Sequence, residues 1–129
     1  MDTIILLKIG DVMRDGTIFA GISPDTNKPM YTTARDADSQ MIWHRAAVYA
    51  EDLIAHGHDD WRLPTAAELD VLFNNRAAIG NFNDTGLPPS GWYWSATEYL
   101  YFKARDQQFK DGYQGINTKD LESSVRCVR

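Results

Sequence analysis

The sequence predicts a single α+β domain in which two helices sit among short antiparallel strands. Two stretches, residues 39–56 and 65–78, carry apolar residues at helical spacing. Several short β-prone stretches surround them, and strand-like segments occupy both ends of the chain. No linker, repeat or low-complexity segment divides the 129 residues. We therefore expect one domain over residues 1–129.

The composition is that of a globular domain and excludes some classes of function. The chain is 43% hydrophobic and 24% charged, with a formal net charge of -5. Nucleic-acid binders present clustered Lys and Arg, so we expect no nucleic acid as the main partner. The apolar run at residues 4–7 is too short to span a bilayer, so we expect no membrane insertion. Asp2 stands where a signal peptide would carry basic residues, which favours the cytoplasm or a particle as the location.

The first third predicts a β-meander or a pair of hairpins. Residues 2–9 form the first predicted strand, and two further short strands follow over residues 17–22 and 29–33. Asp15-Gly16 and the stretch from Ser23 to Asn27 are turn signals between them.

Two helices are predicted next. The first runs from an N-cap at Ser39 to about His56, before Gly57. The second begins at Thr65, because Thr65 and Glu68 form a capping box, and it ends near residue 78. The predicted apolar face of the first helix consists of Ile42, Ala46, Tyr49, Ala50 and Leu53.

The last third predicts a set of short strands. Residues 92–98 form an aromatic strand, in which we expect Trp92 and Trp94 to be buried and Tyr93 to point outward. Asp111-Gly112 is a hairpin signal between later strands. Cys127 lies in a final strand, where a buried structural thiol is favoured over a nucleophile. These later strands are predicted over residues 101–105, 107–109, 113–117 and 124–129.

The candidate metal and catalytic groups are weak. His56 and His58 flank a predicted helix end and point along different vectors, without a third ligand at suitable spacing. The polar stretch around Asn83 lacks the acidic loop pattern of a calcium site. One cysteine cannot form a redox or metal-binding pair, and no nucleophile elbow is present. We expect no metal, no cofactor and no enzymatic activity.

Three motifs then stand in a fixed order. They are Asp60-Trp61-Arg62-Leu63-Pro64-Thr65 with Glu68-Leu69, Trp92-Tyr93-Trp94-Ser95-Ala96-Thr97-Glu98, and Val125-Arg126-Cys127-Val128-Arg129. Over roughly residues 40–129, this order and spacing resembles bacterial and phage domains related to the Lcl C-terminal domain. These belong to a wider C-type-lectin-fold group that includes the formylglycine-generating enzymes. The resemblance implies a C-type-lectin-like fold, with two helices flanking a small antiparallel sheet and the N- and C-terminal strands paired.

The resemblance also implies a binding function. Several relatives of this subgroup resemble the variable proteins of diversity-generating retroelements, in which chosen codons near the C-terminus are rewritten. Adenine-directed mutagenesis of Asn codons yields residues such as Tyr, Phe, Leu, Ile, Asn, Asp and Arg, but not Lys, Gln, Glu or Trp. The sequence after position 99 is compatible with this, provided that residues such as Gln107 and Lys119 are fixed. The predicted ligand-binding residues are Tyr93, Tyr99, Leu100, Tyr101, Phe102, Arg105, Tyr113, Ile116, Asn117, Asp120 and Leu121.

Several alternatives stay open at this point. Phe102 and Phe109 are favoured as core residues, although Phe102 remains in the candidate set, whereas Tyr99, Tyr101 and Tyr113 fit core and surface equally well. The expected partner is a protein or a surface glycan. A catalytic domain like the formylglycine-generating enzymes is the first alternative function, and a structural or assembly component of a phage particle is the second. Homo-oligomerisation also stays open.

Overall fold

The computed structural model describes residues 6–85 and 91–129. The chain forms a mixed α/β domain with small antiparallel sheets and few helices, in agreement with the predicted class. In chain order the elements are β1 (Ile18–Ile22), β2 (Pro29–Thr32), α1 (Trp43–Asp52), α2 (Ala66–Asn74), α3 (Arg76–Ile79), β3 (Trp92–Leu100), β4 (Lys103–Gln108) and β5 (Gln114–Thr118).

The strands form two antiparallel sheets. β1 and β2 make a hairpin, and β3, β4 and β5 make a three-stranded sheet in sequence order. The predicted turn at Asp111-Gly112 connects β4 to β5. Gly112 has φ +85, and a Cβ there would lie 2.5 Å from the ring of Phe73. Both its backbone conformation and its closeness to Phe73 therefore require glycine.

The ends of the chain pair differently from the prediction. Part of the predicted strand over residues 2–9 lies outside the described residues, and its described part is irregular. Gly10 N donates to Phe19 O at 2.9 Å, so the following segment lies along β1. Val128 bridges Thr32 of β2 on one side and Arg62 on the other. The terminal pairing that the resemblance implies is thus not observed among the described residues, because the C-terminal segment lies between β2 and the segment before α2.

The helices are shorter than predicted. α1 begins after Ile42, which makes no side-chain cap, and it ends before the tight turn made by His56 and Gly57, both at positive φ. α2 begins where the capping box predicts: Glu68 N donates to Thr65 Oγ1 at 3.2 Å, and Thr65 N donates to Glu68 Oε1 at 3.0 Å. The single helix expected down to residue 78 is divided into α2 and α3.

The core has two parts. In the first part, α2 and β1 pack around Tyr93 and Phe109. In the second part, α1 packs around Trp61, Trp94 and Cys127. Burial raises the pKa of the Cys127 thiol to about 12, so the thiol stays protonated and inert. The expectation of a buried structural thiol is confirmed.

Candidate functional site

A buried carboxylate, Glu68, ties the scaffold together beneath the capping box. It is 0% exposed. Arg62 Nη2 donates to its Oε2 at 2.8 Å, and the hydroxyl of Ser23 donates to the same oxygen at 2.6 Å. Burial alone would raise the pKa of Glu68, but the bonds from Arg62 and Ser23 outweigh it and lower the pKa to about 2. Glu68 thus connects the turn after β1, helix α2 and the segment before α2, and it is a fully partnered anion.

A second buried network fixes Tyr93 and corrects the prediction that this residue points outward to a ligand. Tyr93 is 0% exposed. Its hydroxyl donates to Asp36 and accepts from Asn83 N at 2.6 Å. Arg126 Nη1 donates to the other Asp36 oxygen at 3.1 Å. Tyr93 is therefore part of the scaffold, while Trp92, expected to be buried, is half-buried beside it.

The turn between β3 and β4 presents consecutive aromatic and apolar side chains to solvent. We call residues 99–102 the tip. Tyr101 is 94% exposed and Phe102 is 57% exposed, so the expectation that Phe102 fills the core is wrong. Tyr99 and Leu100 are about half exposed. Phe109, by contrast, is buried as expected.

Lys119 anchors the tip from below. Its side chain is buried, and its Nζ donates to Tyr101 O and to Glu98 Oε2, both at 2.9 Å. The same Nζ lies 4.2 Å from the centre of the Trp43 ring, a cation–π contact. The backbone of the tip is therefore held by the scaffold while its side chains remain free to contact a ligand.

A groove of about 760 Å³ lies along β5 and the segment that follows it. Its walls include Trp92 and Tyr113, whose ring centres are 6.2 Å apart in an edge-to-face arrangement. The rest of its lining is Asp106, Gly115, Ile116, Asn117, Asp120, Leu121, Glu122 and Ser123.

Asp106 is the least compensated charge in the groove. The residue is 3% exposed, and Asn117 Nδ2 donates to its Oδ2. Its Oδ1 has no partner among the described residues, and neither has the indole Nε1 of Trp92. Burial raises the pKa of Asp106 to about 6, and the bond from Asn117 offsets only part of that rise.

Most of the predicted ligand-binding residues lie around the tip and the groove. Tyr99, Leu100, Tyr101 and Phe102 form the tip. Arg105 lies beside it, with its Cζ 5.7 Å from the centre of the Tyr99 ring. Only Tyr93 is withdrawn into the core. The five predicted residues that line the groove are Tyr113, Ile116, Asn117, Asp120 and Leu121.

The sequence analysis missed two features of this region. Trp92 was assigned to the core, and nothing in the sequence distinguishes Asp106 from an ordinary strand residue. Gly115 is a sequence signal for the close packing around Asp106, because it lies opposite Asp106 in the register of β4 and β5. A glycine in mid-strand marks a close approach by another group.

The histidines considered as metal ligands are held in a turn. His58 Nε2 lies 2.7 Å from Asp15 Oδ2, and His56 Nδ1 lies 3.0 Å from Asp15 O. Among residues 6–85 and 91–129, no group of three or more His, Cys, Asp or Glu side chains is placed to hold a metal ion. No helix in the same ranges is both long and apolar enough to cross a membrane.

Comparison with protein families identifies the family of this chain. No curated protein matches the chain. The family model for the Lcl C-terminal domain matches residues 22–129. That range contains the capping box, the tip and the groove. The chain therefore belongs to the Lcl C-terminal domain family.

Proposed function

We propose that this protein is a ligand-binding module without enzymatic activity, and that the tip and the groove together form its binding surface. The observation that carries the proposal is the exposure of the tip. Four consecutive aromatic or apolar side chains, residues 99–102, are about half exposed or more. Contiguous exposed apolar side chains on a soluble domain are typical of interaction sites.

The anchoring of the tip supports recognition by a preformed surface. Lys119 holds the backbone carbonyl of Tyr101 and the carboxylate of Glu98. Binding therefore costs little further ordering of the backbone. Tyr side chains offer a large contact area and a polar group with few rotatable bonds, which suits them to binding surfaces.

We also propose that the scaffold is a C-type-lectin-like fold and that a retroelement diversifies the tip and the groove. The burial of some residue types supports this. Tyr101 and Tyr113, which such mutagenesis can produce, are exposed, and Gln107 and Lys119, which it cannot produce, are buried and hold the scaffold. The pattern is partial, because Lys110, Gln114 and Glu122 are of types that it cannot produce and are exposed. The ligand, a protein or a surface glycan, would then differ between copies of the gene.

Deep sequencing of the gene and its flanks in a host population tests diversification. We expect substitutions confined to the permitted codons between Tyr99 and Leu121, beside a near-copy template and a reverse transcriptase gene. An invariant 3′ end without a template contradicts diversification, and leaves a binding module of fixed specificity.

Binding itself is tested with a surface-glycan array and a displayed peptide library, each probed with the wild type and with Tyr101→Ala. We expect at least one ligand class to bind the wild type and to be lost in the variant. Equal binding by the two proteins, or no ligand in either format, contradicts the proposal. Sedimentation of both proteins detects the assembly alternative, since an oligomer that Tyr101→Ala dissociates would place the tip at a subunit interface.

A further inference from the structure

The walls of the groove carry negative charge and aromatic surface together. Three carboxylates line it, from Asp106, Asp120 and Glu122, beside the rings of Trp92 and Tyr113. No Lys, Arg or His is among the described residues that line it. The groove therefore favours a cation and disfavours an anion.

Asp106 supplies a specific reason for a cation to enter. Its side chain is almost fully buried, its Oδ2 has the neutral amide of Asn117 as donor, and its Oδ1 has no partner in the described chain. Strand β4, which carries Asp106, also carries two basic residues, and each of them lies beside an aromatic ring of the tip. Lys103 lies by the Phe102 ring, with Nζ 5.7 Å from its centre, and Arg105 lies by Tyr99. Among the described residues, the charge of Asp106 thus has no cation as a partner, a costly arrangement for a buried group.

Gly115 also lines the groove, and the Asp106 carboxylate and the Trp92 ring both lie against it. A Cβ at Gly115 would lie 2.7 Å from Asp106 Oδ1 and 3.1 Å from Trp92 Cζ3. Asp106 Oδ1 and Trp92 Cζ3 therefore both lie close to the position that a Cβ of residue 115 would take. The absence of a side chain there keeps the acidic and the aromatic group next to each other.

We propose that the groove receives a positively charged side chain, the ammonium of a Lys or the guanidinium of an Arg, from a protein ligand. This rests on the proposed binding function and narrows its ligand to a protein. The apolar stem of the side chain packs against Trp92 and Tyr113, and the cation lies beside Asp106 with Asp120 and Glu122 nearby. A neutral sugar brings no positive charge to compensate Asp106, and an anionic glycan is repelled by the three carboxylates.

The protonation of Asp106 links this binding to pH. In the free protein the pKa of Asp106 is about 6, so the carboxyl is mostly ionised at neutral pH. A bound cation favours the ionised form, and affinity therefore falls as pH drops through about 6. Among the described residues, the other titratable side chains that line the groove are those of Asp120, Glu122 and Tyr113. Strand β3 contributes Trp92 to the lining, and the indole of Trp92 does not titrate in this pH range. An Asp106→Asn protein separates the contribution of Asp106 from theirs.

Titration followed by NMR tests the proposal with defined probes. The probes are capped tripeptides Gly-Lys-Gly and Gly-Arg-Gly, with Gly-norleucine-Gly as the uncharged control, at about 0.15 M salt to screen non-specific attraction. The reporters are the Trp92 indole N–H and the Gly115 backbone N–H. We expect the two charged peptides to shift both signals and norleucine, which has the apolar stem without the charge, to shift them at least tenfold more weakly at equal concentration. Asp106→Asn should weaken binding about tenfold and remove most of its pH dependence around pH 6.

Glu51→Gln is the matched control, because Glu51 is an exposed carboxylate on α1 that does not line the groove. It should bind the charged peptides as the wild type does. The proposal is overturned if Asp106→Asn binds equally well, or if no peptide shifts the reporters. It is also overturned if methyl mannoside or sialyllactose shifts them while the peptides do not, which would make the ligand a glycan. If array or library ligands require Tyr101 but not Asp106, the binding function stands and this inference fails.

Discussion

Glu68 and Asp106 are both buried carboxylates of one small domain, yet their surroundings differ. Glu68 accepts hydrogen bonds from Arg62, Ser23 and the backbone of Thr65, and its pKa is lowered to about 2. Asp106 has the Asn117 amide as its side-chain donor and, among the described residues, no partner for Oδ1, and burial raises its pKa to about 6. The protein therefore stabilises the ionised form of Glu68 and leaves the ionised form of Asp106 with fewer hydrogen-bond donors than it could accept.

This difference separates a scaffold site from a site available for binding. A buried anion with a full set of donors contributes to stability, whereas one without them costs stability unless an outside group compensates it. Binding surfaces commonly carry such perturbed groups. Substitutions at the two carboxylates should accordingly have opposite effects on the free energy of unfolding.

The largest effect is expected for Glu68→Gln, which leaves the Arg62 guanidinium without its anion and weakens the capping box. We expect the free energy of unfolding at pH 7 to fall by about 2–4 kcal/mol, as measured by urea denaturation. The folded-state pKa of Glu68 lies below its ordinary 4.5. Its contribution is therefore complete above pH 4.5 and is lost as pH falls towards about 2.

The cost of Glu68→Gln should consequently shrink when the unfolding is repeated near pH 3. Glu51→Gln controls for the loss of a surface carboxylate and should change stability by less than about 0.5 kcal/mol. A Glu68→Gln protein as stable as the wild type at pH 7 would show that the network around Glu68 is not the anchor of the scaffold.

Asp106→Asn should have the opposite sign. The pKa of Asp106 is raised from its ordinary 3.8, so ionisation destabilises the fold as pH rises from about 4 to beyond 6. Removing the charge should stabilise the protein at pH 7 by about 1–3 kcal/mol. The gain should disappear near pH 4, where the wild-type carboxyl is protonated in the folded state.

The same urea denaturation, run at the two pH values, measures this. Asp120→Asn is the matched control, because Asp120 lines the groove but is exposed, and it should leave stability nearly unchanged. A loss of stability in Asp106→Asn at pH 7 would mean that the carboxylate is compensated within the protein, and the contrast with Glu68 would disappear.

Local signals in the sequence predicted the features that depend on neighbouring residues. The capping box at Thr65 and Glu68 and the turn at Asp111-Gly112 involve groups within a few positions of each other, and both were found where expected. Features that depend on distant pairing were missed. Val128 pairs with Thr32 and Arg62, and no local pattern specifies those partners.

The exposure of several candidate residues was predictable, but the electrostatics of the groove were not. Tyr101 and Tyr113 were identified as candidate binding residues by type and position, and both are exposed. Strand alternation assigned Tyr93 to the wrong face, because its hydroxyl finds Asp36, 57 positions away in the sequence. The burial of Asp106 likewise depends on three strands and on the segment after β5, so only the assembled sheet reveals it.

Tyr93→Phe sharpens the contrast between scaffold and surface aromatic residues. The variant removes the hydroxyl that donates to Asp36 and accepts from the Asn83 backbone. We expect a loss of about 1–2 kcal/mol in the free energy of unfolding, and faster hydrogen exchange at the Asn83 amide. Tyr99→Phe, which alters a half-exposed ring, should change neither. Equal effects of the two substitutions would remove the distinction between a buried and a surface tyrosine.

The smallest effect on stability is expected for Tyr101→Ala, at the most exposed position of the tip. The side chain is 94% exposed, and the anchoring bond from Lys119 goes to the backbone carbonyl, which alanine retains. Stability should therefore change by less than about 0.5 kcal/mol, while ligand binding on the array or library is lost. Ile54→Ala, at a site 79% exposed outside the tip and the groove, should preserve both stability and binding. If Tyr101→Ala instead destabilised the fold, the aromatic tip would belong to the scaffold, and its exposure would no longer support a binding role.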